Sequence, residues 1–303
     1  MTDINLFYNE LKKNNINIKK DVILKKYTSF KIGGKADLFT IPDSLEKLKI
    51  IFELAVKCDI PVTVIGNGSN LLVSDLGIRG LVIKIAEGFN DITVKGNKIT
   101  CGAGAMLSKI CKTALEHSLS GIEFAYGIPG SAGGAAFMNA GAYDGEMKDV
   151  LISCTHITRN GEIGKFSKDQ LNLSYRSSIY SELDYVILSL ELELIKGNKT
   201  EIEAKMADFM QRRIDKQPIN LPSAGSVFKR PPGNFAGTLI EKAELKGFSI
   251  GGAMVSEKHS GFIVNYNNKA TCKDVLNLIE HIKKTVFKKF GINLECEIKK
   301  IGE

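Results

Sequence analysis

The stretch Gly121–Glu146, GIEFAYGIPGSAGGAAFMNAGAYDGE, carries seven of the chain's 29 glycines. Runs of glycine and alanine build no core by themselves. They let backbone approach another group closely, or take φ > 0, at little steric cost. A backbone that shows its N–H groups with no side chains in the way suits a pyrophosphate. Two readings follow: a large phosphate-containing cofactor lying against this loop, or a glycine-rich crossover packed tightly inside a sheet protein.

Upstream of this stretch, residues 12–26 read as a polar lead-in. Pro42-Asp43-Ser44 starts a helix with Leu45, Leu48, Ile51, Phe52 and Ala55 at helical spacing. Residues 61–65 form a short buried strand that ends in Gly66-Asn67-Gly68-Ser69-Asn70-Leu71. Short strands over 92–94 and 98–101 flank a Gly96-Asn97 turn. A helix follows over 106–117, with Leu107, Ile110, Cys111 and Ala114 on one face. Downstream, Asn160-Gly161 joins strands over 154–158 and 162–166, a strong hairpin signal. A strand over 185–195 and a helix over 200–213, ended by Pro218, close this part. The remainder reads strand (226–229), helix (237–245), strand (261–265), long helix (272–290) and strand (292–301), a compact α+β unit.

A length of 303 residues suggests about two domains. Hydrophobic residues make up 44% and charged residues 25%, the balance of a soluble globular protein. No apolar run is long enough to span a bilayer, and the Lys/Asn-rich first twenty residues lack the apolar core of a signal peptide. The protein is therefore expected in the cytoplasm, with no membrane partner. The six cysteines (Cys58, Cys101, Cys111, Cys154, Cys272, Cys296) form no CxxC pair and read as reduced, mostly buried thiols. The four histidines have no metal-ligand spacing, so no metal is expected. The net charge of +7 comes from dispersed lysines without a nucleic-acid motif. It describes a solvated basic surface, or one that steers anionic small molecules into a cleft.

Several motifs carry chemistry, each beside a plainer alternative. Gly66-Asn67-Gly68-Ser69-Asn70 follows a strand, but it lacks the third glycine and distal acid of a dinucleotide fingerprint and the GK[ST] of a P-loop. Gly102-Ala103-Gly104 before a helix is a similarly partial match. Either could end a strand with no ligand at all. Three glycine-rich loops, each after a strand, suit a flavin or nucleotide fold of another type. Ser226, beside Gly225, could offer its hydroxyl to a bound substrate or be a turn serine bonding backbone. Arg176, among hydroxyls in Ser174-Tyr175-Arg176-Ser177-Ser178, could hold a carboxylate or phosphate, or could lie on the surface. In Leu294-Glu295-Cys296-Glu297-Ile298, alternation puts Leu294, Cys296 and Ile298 on one strand face and both acids on the other. It does not choose between Glu295 and Glu297. His259 precedes a strand and reads as a satisfied loop histidine.

Together the segments 27–34 (YTSFKIGG), 66–75, 127–143, 175–178, 222–232, 251–265 and 294–302 resemble, in order, the signatures of the UDP-N-acetylenolpyruvoylglucosamine reductase family. The resemblance covers nearly all of the chain beyond its lead-in. It implies a mixed α+β fold. A two-lobed FAD-binding region of the vanillyl-alcohol-oxidase type (27–80 and 81–199) follows the lead-in (1–26). A C-terminal α+β substrate domain spans 200–303. It implies FAD as cofactor, NADPH as co-substrate, a UDP-sugar substrate, and reduction of the enolpyruvyl ether to UDP-N-acetylmuramate in peptidoglycan precursor synthesis. A monomer is expected.

By resemblance, Arg176 is the active-site arginine, Ser226 the proton donor and Glu297 the catalytic glutamate. Glu297 would have to be protonated or donate through a shared proton, because a bare carboxylate repels an enolate. Cofactor contacts fall on Gly66, Asn67, Gly68, Ser69, Asn70, Leu71, Gly127, Ile128, Pro129, Gly130, Ser131, Gly133, Gly134, Asn139, Gly141 and Ala142. Substrate contacts fall on Tyr175, Lys229, Arg230 and His259, with Lys229 and Arg230 candidates for the substrate phosphates or for raising the local potential.

The chain also departs from the family pattern. Arg230 stands where part of the family has Asn. No insertion after Arg176 supplies a substrate-clamping tyrosine, which marks a shorter subclass. Two other readings compete: an oxidase of the same FAD fold, and a flavin- or nucleotide-sugar-binding module without catalysis. The absence of histidine from the glycine-rich loops speaks against the covalent flavin common in such oxidases, and the retained Arg176, Ser226 and Glu297 speak against the module.

Overall fold

The computed structural model describes residues 4–303. They form two compact units, each with its own hydrophobic core. The first comprises the chain up to Lys20, Leu38–Asn67 and Gly80–Arg212; the second comprises Asp21–Asp37, Gly68–Arg79 and Arg213–Glu303. Neither is contiguous, so the units divide the sequence differently from boundaries at 26, 80 and 199. Eight helices occur among the described residues: α1 (Ile4–Lys13), α2 (Leu45–Lys57), α3 (Leu107–Glu116), α4 (Ala132–Phe137), α5 (Met147–Val150), α6 (Lys199–Lys216), α7 (Ala236–Lys242) and α8 (Cys272–Phe290).

The polar lead-in expected over 1–26 is structured where it is described; its first three residues lie outside the described residues. Phe7 and Leu11 of α1 enter the first core, and strand Ile18–Ile23 follows. Two apolar residues one helical turn apart suffice to fix α1 because α2 offers Leu48, Ile51, Phe52 and Ala55 to the same core. Ser44 Oγ caps α2 by accepting from Lys47 N–H (3.2 Å).

The first unit is built on a five-stranded antiparallel sheet in the spatial order Ile163–Ser167, Leu151–Ile157, Val186–Glu193, Lys98–Gly102, Ile92–Lys95. Both expected hairpins are present in it. Helix α4 lies against the strands Val186–Glu193 and Lys98–Gly102. Strand Val62–Ile65 runs parallel to 81–84, from Val62↔Leu81 to Ile65↔Lys84.

The second unit has a four-stranded antiparallel sheet in the order Ser223–Ser226, Phe262–Asn265, Ala253–Val255, Ser249–Ile250. Helix α8 packs on the last two strands through Val275, Leu278, Ile279, Ile282 and Val286. Its start is fixed by a capping box, Thr271 Oγ1 accepting from Asp274 N–H and Asp274 Oδ2 from Thr271 N–H (both 3.0 Å). Its end is Gly291 in the left-handed region (φ 70°). The strand expected over 292–301 is shorter: only Lys299–Ile301 is regular, paired in parallel with Leu71–Val73, and Cys296 makes a single bridge to Phe228. The strand expected over 226–229 ends at Ser226 instead of starting there.

All six cysteines are free, and five are buried. Burial pushes the Cys101 thiol up to about 12 and Cys272 to about 11, so these stay protonated, inert core residues.

Candidate active site

In the first unit the glycine-rich stretch begins on a buried acid. Glu123 is 2% exposed. Its carboxylate accepts from Ser120 Oγ (2.6 Å) and Gly121 N–H (2.9 Å), with Lys205 Nζ at 3.7 Å. Burial pushes this carboxyl up, but the donated hydrogen bonds and Lys205 outweigh it and hold it below the usual range.

Past Gly127 the loop meets the Gly66-Asn67 turn. Asn67 Nδ2 donates to the Pro129 carbonyl (2.7 Å). Gly66 lies so close that a Cβ there would stand 2.6 Å from Ser131 Oγ. Ser131 is 3% exposed, and its hydroxyl has no hydrogen-bond partner among the described residues. A buried orphan hydroxyl is rare; beside two backbone-exposing glycine loops, it is what a bound phosphate oxygen would satisfy. The residues therefore fit FAD at Gly66, Asn67 and 127–131. The start of α4 is otherwise engaged. Ala132 N–H donates to Ala105 O and Gly133 N–H to Ala103 O, both at 2.8 Å, and a Cβ at Gly133 would meet Ala103 Cβ at 2.8 Å. Here glycine serves backbone packing, and so does Gly102-Ala103-Gly104 opposite.

The end of the stretch is a hairpin that sequence reasoning missed. Gly141–Ala142 pairs with Gly145–Glu146, and the two tip residues, Tyr143 (φ 52°) and Asp144 (φ 63°), are both left-handed, as a type I′ turn requires. The signal was Tyr-Asp-Gly, masked by the surrounding glycine. Asn139, fully buried, ties it down: Nδ2 donates to Glu146 Oε2 (3.0 Å) and Ser174 O (2.9 Å), and Oδ1 accepts from Lys148 N–H (2.9 Å). The side chain of Asn139 is thus engaged within the protein. Ser174 and Ser177 exchange two backbone hydrogen bonds (3.1 Å each) around the turn that holds Tyr175 and Arg176. Arg176 takes φ 55°, a strained position for a non-glycine residue. Its Nη2 donates to Gly141 O (3.3 Å), and its guanidinium lies 4.9 Å from the centre of the Tyr175 ring.

In the second unit, residues 227–229 run antiparallel to 295–297. Glu297 N–H donates to Val227 O (2.7 Å) and Lys229 N–H to Glu295 O (2.9 Å). Ser226 and Glu297 are thereby brought onto adjacent chains one residue out of register. Asn70 joins them, Nδ2 donating to Glu297 O (3.3 Å) while its own carbonyl accepts from Lys299 N–H (2.9 Å). The two acids that alternation left equivalent differ here. Glu295 is exposed and pairs with Lys229 Nζ (2.5 Å), whereas Glu297 is half-buried against the Val227 chain. Arg230 lies 4.4 Å over the ring of Phe235, which is 58% exposed.

His259 Nδ1 accepts from Gly261 N–H (3.1 Å), and its ring meets Phe262 edge-on at 4.8 Å. Burial holds its pKa below the usual value. Both facts describe a neutral imidazole with its proton on Nε2, hence a donor. The next residue, Ser260, is buried, and its hydroxyl has no hydrogen-bond partner among the described residues.

Of the expected residues, Arg176, Tyr175, Gly66, Asn67 and the 127–142 set belong to the first unit. Ser226, Glu297, Lys229, Arg230, His259 and Gly68–Leu71 belong to the second. Among the described residues no cluster of His, Cys, Asp or Glu could hold a metal, and no helix is long and apolar enough to cross a membrane.

The buried, unpartnered Ser131 hydroxyl beside two glycine loops, on a mixed α+β frame, suits an FAD-binding oxidoreductase, and residues 36–167 match the FAD binding domain family. Residues 217–301 match the UDP-N-acetylenolpyruvoylglucosamine reductase C-terminal domain. The UDP-N-acetylenolpyruvoylglucosamine reductase of Agathobacter rectalis is 51% identical over 300 residues, covering 95% of each chain. That of Clostridium novyi is 50% identical over 286 residues, 94% of this chain and 92% of the relative. The crystal structure of the Thermus caldophilus enzyme superposes with a TM-score of 0.82 at 35% identity, over 94% of this chain and 99% of that one. The chain belongs to the UDP-N-acetylenolpyruvoylglucosamine reductase family.

Proposed function

We propose that this protein reduces the enolpyruvyl ether of UDP-N-acetylglucosamine to UDP-N-acetylmuramate with NADPH, in peptidoglycan precursor synthesis, acting as a monomer in the cytoplasm. The observation that carries the reading is the juxtaposition of Ser226 and Glu297 in a chain of this family. Bound FAD would supply hydride transfer between NADPH and the β-carbon of the enolpyruvyl double bond. The protein's own residues manage the charge and the proton. Hydride addition leaves an enolate on the carboxylate side, where preorganised donors contribute most. Arg176 holds the substrate carboxylate, its guanidinium supported from Gly141 O. Glu297, the catalytic glutamate by family resemblance, would act protonated or through a shared proton, because a bare carboxylate repels an enolate. Ser226 Oγ–H delivers the proton to the α-carbon, so one hydride and one proton saturate the double bond.

Lys229 and Arg230 take the diphosphate, Lys229 by exchanging its exposed partner Glu295. His259 offers Nε2–H as a further donor, and Tyr175 lines the sugar side. Gly66, Asn67 and 127–131 would hold the cofactor within 27–199, with Gly68–Leu71, Gly133, Gly134, Asn139, Gly141 and Ala142 expected near it by resemblance alone, and 200–303 would carry the substrate. With no tyrosine insertion after Arg176, the shorter subclass clamps its substrate through these basic residues.

The test is anaerobic absorbance. NADPH should bleach the bound flavin, and the enolpyruvyl substrate should restore it. Bleaching without recovery would leave a flavin reductase or oxidase with another acceptor. Ser226→Ala should keep its flavin and its reduction by NADPH while recovery slows by orders of magnitude; unchanged recovery would remove Ser226 from the mechanism.

A further inference from the structure

Arg176 is a long side chain on a strained turn, and its Nη2 donates to a carbonyl of the Gly141–Glu146 hairpin. That carbonyl can fix the guanidinium only as well as the hairpin itself is fixed. Two residues per strand make a marginal hairpin. Its base is tied by Asn139, but its tip is held by an aromatic stack. The Tyr143 ring lies 4.6 Å from that of Phe209 on α6, with 10° between the planes. Phe209 is buried and flanked by two cations, Lys205 Nζ at 5.8 Å and Arg212 Cζ at 5.9 Å from its ring centre. The contact runs from α6 through Phe209 and Tyr143 to the hairpin, Gly141 O and Arg176, all within the first unit.

We propose that Tyr143, stacked on Phe209, is a positioning residue for Arg176. It pins the hairpin so that Gly141 O holds the guanidinium where the substrate carboxylate is bound. The ring carries this role, not the hydroxyl. The inference rests on the reading of Arg176 as the carboxylate-holding residue.

The experiment is stopped-flow measurement of the two half-reactions on FAD-loaded protein. Tyr143→Ala and Phe209→Leu should slow reoxidation by the enolpyruvyl substrate by about 10- to 100-fold, the scale of a small misplacement of a catalytic group. Bleaching by NADPH should stay within about twofold, because no carboxylate is held in that half-reaction. Tyr143→Phe should restore the wild-type rate, and Tyr143→Ala should add nothing in an Arg176→Ala background. A Tyr143→Phe variant as slow as Tyr143→Ala would overturn the stacking role in favour of the hydroxyl. Equal slowing by Tyr143→Ala with and without Arg176 would show that Tyr143 acts on something else. If Arg176→Ala alone reoxidises at the normal rate, the underlying assignment of Arg176 fails instead. Should Tyr143→Ala not retain flavin, Phe209→Leu and Tyr143→Phe carry the same comparison from the other side of the stack.

Discussion

Asn265 offers the sharpest stability test. It is wholly buried. Nδ2 donates to the carbonyls of Phe30 (3.1 Å) and Lys31 (3.3 Å), and Oδ1 accepts from Ala270 N–H (2.8 Å). One side chain thus seats the segment Asp21–Asp37 in the second unit. Asn265→Ala removes the side-chain partner of the buried Phe30 carbonyl and of the half-buried Ala270 N–H; Lys31 is exposed, and water replaces the amide there. Each buried group left unpaired costs about 1–3 kcal/mol, so the sum is about 2–4 kcal/mol after partial relaxation. That is a large share of a stability of about 5–15 kcal/mol. The chain has no tryptophan, so urea unfolding is best followed by far-ultraviolet circular dichroism. The midpoint should fall with an unchanged slope. Asn265→Asp keeps the acceptor for Ala270 but turns a carboxylate toward two carbonyl oxygens, and it should be at least as destabilising. A loss under about 1 kcal/mol for Asn265→Ala, or a milder Asn265→Asp, would refute the argument.

Gly66→Ala should fold but purify with little flavin, because its Cβ would stand 2.6 Å from Ser131 Oγ; the flavin-to-protein absorbance ratio measures it. Asp75→Ala should lower stability by about 1–2 kcal/mol, since Asp75 accepts from Cys272 N–H (2.8 Å) and Lys273 N–H (3.0 Å) at the start of α8; a thermal melt reads the loss. Glu123 is held below its ordinary value of 4.5, so its contribution is full above that value and lost as pH falls through the lower folded value. Glu123→Gln should therefore be destabilised at neutral pH, with the deficit shrinking on acidification, as urea midpoints along a pH series would show.

Elements with strong local punctuation were legible in the sequence. Helix α8 has its Thr271 cap, Gly291 stop and helical apolar spacing, and the hairpins have Gly96-Asn97 and Asn160-Gly161. The helical face of α3 was readable for the same reason, with Leu107, Ile110, Cys111 and Ala114 all buried. Helix α1 was not, because its two buried residues sit among Lys and Asn and owe their burial to α2. At the site, Ser226 and Glu297 were identifiable only through the ordered resemblance, since their adjacency comes from a long-range ladder. Asn139 was expected through the resemblance alone, and Asn265 was not singled out, because its Phe30 partner lies 235 residues away. The Gly141–Glu146 hairpin was hidden because glycine and alanine carry no alternation.

The discontinuous second unit has a consequence for how the chain is made. Asp75 and Cys272 are 197 residues apart, and Asn70 and Glu297 are 227 apart. A ribosome adding about 5–20 residues per second leaves the first partner waiting some 10–40 s for the second. Throughout that interval the Tyr27–Gly34 and Gly68–Arg79 segments have only each other to bond, through Ser29 N–H to Gly68 O and Gly34 N–H to Ser74 O. The unit closes only when the last strand, Lys299–Ile301, clears the exit tunnel and pairs with Leu71–Val73. A chain that stops before Lys299 lacks that strand, and a fragment that begins at residue 200 lacks two of the unit's three pieces. The site residues of this unit therefore assemble only once Lys299–Ile301 has been made.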